Sequence, residues 1–220
     1  MKDKILASMK RLCIISGHYG SGKTSLAANL AILLAQHGRQ VTVVDMDLVN
    51  PYFRSADYSQ TFSEYGVRLI TPPFANSNLD IPALPPNLTE VIRDESRYLL
   101  IDVGGDDAGA VSLGQLSGEI RKRDYDLCYV MNFFRYLTQT PVQTIQVLRE
   151  IESACRLRVT RLIHNSNLGS DTGIDDINNV QPLAEETAKL AGLPVWFTAV
   201  PEWITNQEQI GFPVTIFQKE

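Results

Sequence analysis

Eight residues near the start of the chain have the types and spacing of a phosphate-binding loop. Residues 17–24 read G-x-x-x-x-G-K-T, and they follow a short apolar run and precede a helical pattern. Such a loop turns several backbone N–H groups toward one point, at the positive end of a helix dipole. Lys23 can then reach the β- and γ-phosphates of a nucleotide, and the Thr24 hydroxyl can ligate Mg²⁺. The predicted nucleotide-binding residues are Gly17, Gly20, Ser21, Gly22, Lys23, Thr24 and Ser25.

Acidic residues follow two of the apolar runs further along the chain. Asp102 ends one run at the place where a Walker B carboxylate belongs, which holds Mg²⁺ through water. Asp45 and Asp47 follow another run, and Asp106 and Asp107 come after two glycines. The two carboxylates of each pair are close enough in sequence to coordinate the same metal ion or to orient a water molecule. A solvated acidic loop would look the same, so the sequence leaves both interpretations open for them.

The rest of the chain alternates apolar, β-like runs with helical patterns, which is typical of a parallel sheet covered by helices. Nearly continuous apolar character indicates strands that are buried on both faces. The predicted strands are 12–16, 41–44, 67–70, 98–101, 127–131, 159–163 and 195–200, and the predicted helices include 25–36, 140–155 and 182–191. The prediction is a three-layer α/β/α P-loop fold with a mostly parallel sheet of about seven strands. We expect a single domain over residues 1–220.

Composition narrows the class of protein further. The 220 residues carry a formal net charge of −5, which gives no global attraction to nucleic acid or to anionic membranes. Cys13, Cys128 and Cys155 are dispersed without a metal-binding or disulfide spacing, which predicts reduced thiols. Cys13 and Cys128 lie in apolar runs, so we expect them to pack in the core. The sequence shows neither a secretory signal nor an apolar stretch of membrane-spanning length, so we expect a cytoplasmic protein.

Four segments in this order resemble the MinD/ParA/nitrogenase-iron-protein-like P-loop ATPases of the SIMIBI class. They are GHYGSGKT at 17–24, VDMD at 44–47, LLIDVGGD at 99–106 and VPE at 200–202. The resemblance extends over roughly residues 11–205. It is specific for the fold and for nucleotide chemistry, and it does not indicate a biological role.

The resemblance implies roles for individual residues at the phosphate end of the site. Lys23 and Thr24 would bind the phosphates of ATP and Mg²⁺, with Asp102 as the Walker B residue. Asp47 would be the switch I carboxylate that positions the attacking water and contributes to the metal shell. Asp106 would be a switch II carboxylate.

The resemblance also implies how the base is bound. Asn165 would hydrogen-bond the adenine edge, while Pro201 and Glu202 would line the base pocket. Guanine-binding members of the class use an N-K-x-D loop, and residues 164–167 read H-N-S-N instead. Because the aspartate that grips guanine is missing there, ATP is the expected nucleotide and GTP is the alternative.

Two departures from the family pattern concern assembly and redox chemistry. The family's signature lysine, which reaches across a nucleotide-sandwich dimer, corresponds to His18. Imidazole titrates near pH ~6.5, so His18 could replace that lysine only when it is protonated. The sequence therefore leaves open whether the protein forms a homodimer. Gly109 stands where the iron protein has a cluster cysteine, so no iron–sulfur cluster is expected.

Two functions fit these residues. The first is an ATPase that acts as a nucleotide-driven switch, or as a maturation or regulatory factor, on an unidentified protein partner. The second is an ATP-dependent metabolic enzyme, either a small-molecule kinase or a ligase like dethiobiotin synthetase. Such an enzyme needs a substrate pocket, for which Tyr52, Arg54 and Arg135 are candidates.

Overall fold

The computed structural model describes residues 1–47, 58–71, 87–105, 107–204 and 211–215, and within them eight runs of the chain form one sheet. The strands are β1 (Leu12–Gly17), β2 (Val41–Met46), β3 (Arg68–Ile70), β4 (Tyr98–Val103), β5 (Tyr125–Met131), β6 (Arg161–His164), β7 (Val195–Pro201) and β8 (Phe212–Val214). Their order across the sheet is β3-β2-β4-β1-β5-β6-β7-β8. Every pair of neighbours is parallel.

Helices cover both faces of this sheet. They are α1 (Lys2–Ser8), α2 (Lys23–Gln36), α3 (Ser59–Glu64), α4 (Leu88–Arg93), α5 (Asp107–Ile120), α6 (Pro141–Cys155) and α7 (Ile174–Ala191). One core layer joins α1, α2 and α3 to residues such as Ile15 and Leu100, while the other joins α4 to α7 to residues such as Ile14 and Ile101. Alternate residues of one strand therefore enter opposite cores, as expected for strands buried on both faces. The three-layer α/β/α fold is confirmed.

The predicted strands all occur, within a few residues of the predicted bounds. Strand β8 was not predicted, because three residues that include Pro213 give too short a pattern. Helix α6 begins as predicted, since the Thr140 hydroxyl accepts a hydrogen bond from the backbone of Gln143. The predicted start of α7 at residue 182 is wrong, because the helix begins at Ile174 and continues through Pro182. Helices α1, α3, α4 and α5 were not predicted.

The parallel arrangement fixes where the polar residues that follow the strands are located. Because every strand runs in the same direction, all of their carboxyl ends meet at one edge of the sheet. We call this the carboxyl edge. The predicted phosphate loop follows β1 there, and Asp102 lies near the end of the neighbouring strand β4. The residues predicted to bind a ligand therefore converge at this edge from several strands.

Two of the three thiols pack against one another across neighbouring strands. Cys13 on β1 and Cys128 on β5 are both fully buried, with their Sγ atoms 3.9 Å apart. Burial raises the pKa of the Cys128 thiol well above its ordinary value. The predicted packing role of these cysteines is confirmed. In the described ranges, we find no helix with the length and apolar character needed to cross a bilayer.

Candidate nucleotide-binding site

The phosphate loop joins the end of β1 directly to the start of α2. Gly17 ends the strand with φ +152°, and Gly22 precedes the helix in the left-handed region with φ +88°. A side chain at either position would meet neighbouring atoms, since a Cβ on Gly17 would lie 2.6 Å from the Val130 carbonyl oxygen. A Cβ on Gly22 would overlap the side-chain amide of Asn165. Both glycines are therefore required by space as well as by conformation.

Lys23 is buried at the first position of α2 and points back across the loop. Its Nζ donates a hydrogen bond to the His18 carbonyl oxygen over 3.1 Å, and the residue is only 7% exposed. The segment after β4 lies on the same atoms. A Cβ on Gly105 would be 2.7 Å from the Lys23 Nζ and 2.7 Å from the Tyr19 backbone nitrogen. The segment after β4 therefore lies against two groups of the kind that bind phosphates in P-loops.

Two buried carboxylates stand side by side beneath this loop. Asp45 on β2 and Asp102 on β4 are register partners in neighbouring strands, and they are 0% and 1% exposed. Register partners in neighbouring strands lie about 5 Å apart. The Asp45 Oδ1 also accepts a hydrogen bond from the Asp47 backbone nitrogen over 2.9 Å. The family resemblance implies a role for Asp47 but none for Asp45, and the β2–β4 register is what places Asp45 beside Asp102.

Thr24 and Ser25, which are predicted to bind Mg²⁺ and the nucleotide, lie in the first turn of α2. Thr24 and Ser25 are half-buried, and the Ser25 hydroxyl is 3.4 Å from the Tyr58 hydroxyl. Asp106 lies outside the described residues. In the described part of the chain, no group of three or more His, Cys, Asp or Glu side chains is placed to hold a metal.

Asn165 connects the end of β6 to the phosphate loop. The residue is 8% exposed, and its Nδ2 donates to the Ser21 carbonyl oxygen over 2.7 Å. The Asn167 side chain in turn donates to the Asn165 carbonyl oxygen over 2.9 Å. The Ser21 hydroxyl is buried and has no hydrogen-bond partner within the described ranges. Asn165 therefore holds the loop from the β6 side, and its role at the adenine edge stays a prediction.

Pro201 and Glu202 lie at the carboxyl edge on the far side of Asn165. Strand β7 is three positions from β1 in the sheet, or about 14 Å at the usual strand spacing. Pro201 is buried, while the Glu202 carboxylate accepts a hydrogen bond of 2.7 Å from the Thr215 hydroxyl beyond β8. Their place in a base pocket stays a prediction.

Arg135 is a residue of this site that the sequence analysis considered only as a substrate-binding candidate. It lies in the turn after β5, and its Nε donates to the Gly20 carbonyl oxygen over 2.9 Å. Its sequence signal was weak, because a single half-buried arginine in a loop is usually a solvated residue. Only the placement of β5 next to β1 brings it onto the phosphate loop.

The histidines near the loop differ in their surroundings. His18 is half-buried, and burial, followed by the nearby charge of Lys23, lowers its pKa. His164 is fully buried, with its ring nitrogens 3.0 Å from the Gln181 Oε1 and 3.0 Å from the Ser166 hydroxyl. Burial lowers the pKa of His164 to about 4. Both rings are therefore mainly neutral at pH 7.

Comparison with known sequences gives a family and one local relative. The family model CbiA, the CobQ/CobB/MinD/ParA nucleotide-binding domain, matches residues 12–166, which is more than half of the chain. A stretch of 48 residues is 44% identical to the tyrosine-protein kinase YwqD of Bacillus subtilis (strain 168). That stretch covers 22% of this chain and 20% of the kinase, so the match extends over about a fifth of this relative.

Solved structures with the same architecture include those of two other proteins. The cell division protein FtsY of Thermotoga maritima has a TM-score of 0.56 at 18% identity, covering 89% of this chain and 63% of its own. The signal recognition particle 54 kDa protein of Aeropyrum pernix K1, solved in complex with GDP, has a TM-score of 0.54 at 15% identity. That match covers 85% of this chain and 40% of the particle protein. At these identities, the likeness establishes a shared fold.

The sheet order, the phosphate loop between β1 and α2, and the family match agree with one another. The loop is of the P-loop type, and the matched residues include the loop, the two buried carboxylates and Asn165. The chain belongs to the CobQ/CobB/MinD/ParA family of P-loop nucleotide-binding domains.

Proposed function

We propose that this protein binds ATP·Mg²⁺ on residues 17–24 and hydrolyses it as a nucleotide-driven switch that acts on a protein partner. The observation that supports this function best is the contact between Gly105 and the phosphate loop. Lys23 Nζ and the Tyr19 backbone N–H are groups that hold terminal phosphates in P-loop proteins. Arrival or loss of a γ-phosphate beside them therefore displaces or releases the segment after β4, which is how such switches transmit their state.

The donor set beneath the loop suits Mg²⁺. The Thr24 hydroxyl and the Asp102 carboxylate would hold the ion, with Asp47 in its shell, because Mg²⁺ prefers oxygen ligands and retains several waters. The bound ion neutralises charge on the phosphates. Asp45 lies next to Asp102 and orients the backbone of Asp47, so it supports the same shell from the neighbouring strand.

We propose ATP as the nucleotide and Asp47 and Asp106 as the carboxylates that orient water for the reaction. The preference for ATP depends on the β6 loop, where asparagines occupy positions 165 and 167. Residues 164–167 contain no aspartate that could accept a hydrogen bond from the guanine N1–H. A labelled ATP analogue that is displaced by ATP but not by GTP would support this preference, and the reverse order would contradict it.

The test of the switch is an ATPase and binding assay on three variants. Lys23→Ala should abolish tight ATP binding, while Asp47→Ala should retain ATP and Mg²⁺ but lose hydrolysis. Asp124→Ala, which removes an 82% exposed carboxylate on the opposite edge, serves as the matched control and should behave like the wild type. If neither Lys23→Ala nor Asp47→Ala changes binding or turnover, this function is wrong. The Asp47→Ala form, loaded with ATP, is also the bait with which to identify the partner.

A phosphotransferase is the second candidate function. The local match to a tyrosine-protein kinase and the position of Arg135 at the phosphate loop favour it. A small-molecule kinase or a ligase like dethiobiotin synthetase would form ADP in proportion to an added metabolite. Tyr52 and Arg54, the other substrate-binding candidates, lie outside the described residues. ADP formation that proceeds at the same rate with and without any acceptor would exclude this candidate.

A further inference from the structure

Arg135 is presented to the phosphate loop by a turn that is held at both ends. The turn follows β5 and begins at Asn132, which is 1% exposed. The Asn132 Oδ1 accepts a hydrogen bond from the Phe134 backbone N–H over 3.0 Å. The Asn132 backbone carbonyl oxygen accepts one from the buried Thr138 hydroxyl over 2.8 Å. The Arg135 carbonyl oxygen accepts from the Thr138 backbone over 3.2 Å. The backbone that carries Arg135 is therefore fixed before any ligand arrives.

The same turn contains a strained residue. Leu137 has φ +67°, in the left-handed region that leucine rarely adopts, and its side chain is 44% exposed. An exposed leucine gains little burial in return for this conformation, which costs about 1–2 kcal/mol. Backbone strain of this kind persists where the surrounding structure enforces it, often at binding sites. The strained Leu137 lies in the same turn that directs Arg135 toward the phosphate loop.

The guanidinium lies against the loop at a position where the loop has no side chain. Gly20 has φ +72°, and a Cβ there would be 3.3 Å from the Arg135 Nε and 3.4 Å from its Cδ. The Nε bond to the Gly20 carbonyl oxygen uses one of five N–H donors. Within the described residues, the two terminal amino groups of Arg135 have no hydrogen-bond acceptor. They are available to a ligand on the loop.

The negative charge of a bound nucleotide would be offset in part by the Arg135 guanidinium. ATP carries about four negative charges, and Mg²⁺ offsets two of them. Lys23 and Arg135 are two cationic side chains that donate to carbonyl oxygens of the phosphate loop. His18, which precedes Lys23 in the same loop, has a pKa that burial and the charge of Lys23 lower, so it adds little positive charge at pH 7. Arginine is also the side chain whose planar fork best matches phosphate oxygens.

We propose that Arg135 is a phosphate-binding residue supplied in cis: its Nε holds the Gly20 carbonyl, and its terminal amino groups contact phosphate oxygens of the bound nucleotide. This inference rests on the proposed function, because it assumes that a nucleoside triphosphate occupies the loop. It adds a second cation to the site, from the turn after β5, whereas Lys23 comes from the first turn of α2. Arg135 therefore joins the end of β5 to the nucleotide, as Asn165 joins the end of β6 to the loop.

The test compares ATP binding by the wild type, Arg135→Gln and Arg135→Lys, by calorimetry at two ionic strengths. Loss of a charge-assisted contact should weaken ATP binding by Arg135→Gln about 10-fold to 100-fold, with less dependence on ionic strength than in the wild type. Arg135→Lys keeps the charge and should recover part of the affinity. Arg39→Gln removes an exposed arginine just before β2, on the opposite edge, and should bind like the wild type.

A second measurement separates phosphate binding from mere support of the loop. Hydrogen exchange at Gly20 and Ser21 in the nucleotide-free variants reports how far the loop opens when the Nε bond is lost. If the affinity of Arg135→Gln falls only in proportion to that opening, with the ionic-strength dependence unchanged, Arg135 is a brace and the inference is overturned. Wild-type affinity in Arg135→Gln would overturn it as well. A wild-type protein that binds no ATP would overturn the proposed function together with this inference.

Discussion

His164 should make the folded protein sensitive to mild acid. Its ring is fully buried, and its folded-state pKa is about 4 against an ordinary value of 6.5. Because the pKa is lowered in the fold, the unfolded chain binds the proton more tightly. The stabilising effect is thus complete above pH 6.5 and is lost as the pH falls from 6.5 toward 4. The full shift corresponds to about 3.4 kcal/mol, of which about 1.3 kcal/mol is lost between pH 7.5 and 5.5.

The free energy of unfolding, measured with urea at pH 7.5 and 5.5, tests this magnitude. The wild type should lose about 1.3 kcal/mol more over this interval than His164→Gln, which keeps a neutral side chain that can donate and accept hydrogen bonds. His18→Gln is the control, because it leaves the buried ring in place and should retain the His164 contribution. Equal losses in the wild type and in His164→Gln would show that burial of His164 does not produce the acid sensitivity.

The position of His164 connects this acid sensitivity to the site. Its Nε2 is 3.0 Å from the Ser166 hydroxyl, which accepts a hydrogen bond from the Phe133 backbone over 3.0 Å. Phe133 belongs to the turn that carries Arg135. A proton on His164 would place a charge in this buried network. The amides of the turn after β5 should therefore have lower protection factors at pH 5.5 than at pH 7.5, after correction for the intrinsic exchange rate, in the wild type but not in His164→Gln.

Three substitutions test other contacts of the site. Gly22→Ala should destabilise the protein by about 1–2 kcal/mol through its left-handed backbone and should weaken ATP binding by displacing Asn165, as measured by urea unfolding and calorimetry. Unchanged values for both would contradict the packing described for the loop. Gly105→Ala places a methyl group 2.7 Å from the Lys23 Nζ, so the rate of ATP hydrolysis should fall more than about 10-fold. A wild-type rate would argue against contact of the segment after β4 with the phosphates. Asp102→Asn should reduce the affinity for ATP in Mg²⁺ to the value measured in EDTA; if Mg²⁺ still strengthens binding as in the wild type, Asp102 does not hold the ion.

Most of the fold could be predicted because its strongest signals are local. A buried parallel strand is a run of apolar residues, and the phosphate loop is a contiguous pattern, so β1 and the start of α2 can be read directly from the sequence. The short helices α3 and α4 have six residues each, which is too few for a clear period. Helix α7 begins eight residues before the predicted position. Proline favours the first turn of a helix, but packing of Ile177 and the acidic first turn stabilise the helix before Pro182.

The parts of the site that could not be predicted depend on strand order. No local pattern tells which strand lies next to β1, and that order is what brings Arg135 onto Gly20 and Asn165 onto Ser21. The pairing of Asp45 with Asp102 likewise depends on the β2–β4 register. A sequence can indicate that polar residues end these strands, but it cannot tell which of them will touch.

The phosphate loop is held in place by groups that follow three strands of the sheet. Asn165 follows β6, Arg135 follows β5, and Gly105 follows β4, and each is in contact with the loop that follows β1. A loop that is already fixed loses less conformational entropy when a nucleotide binds, so more of the contact energy appears as affinity. Because the same three strand ends touch the loop, a change in the nucleotide reaches all of them at once. A single side chain at Gly22 or Gly105 should therefore affect both the conformation of the loop and its response to ATP.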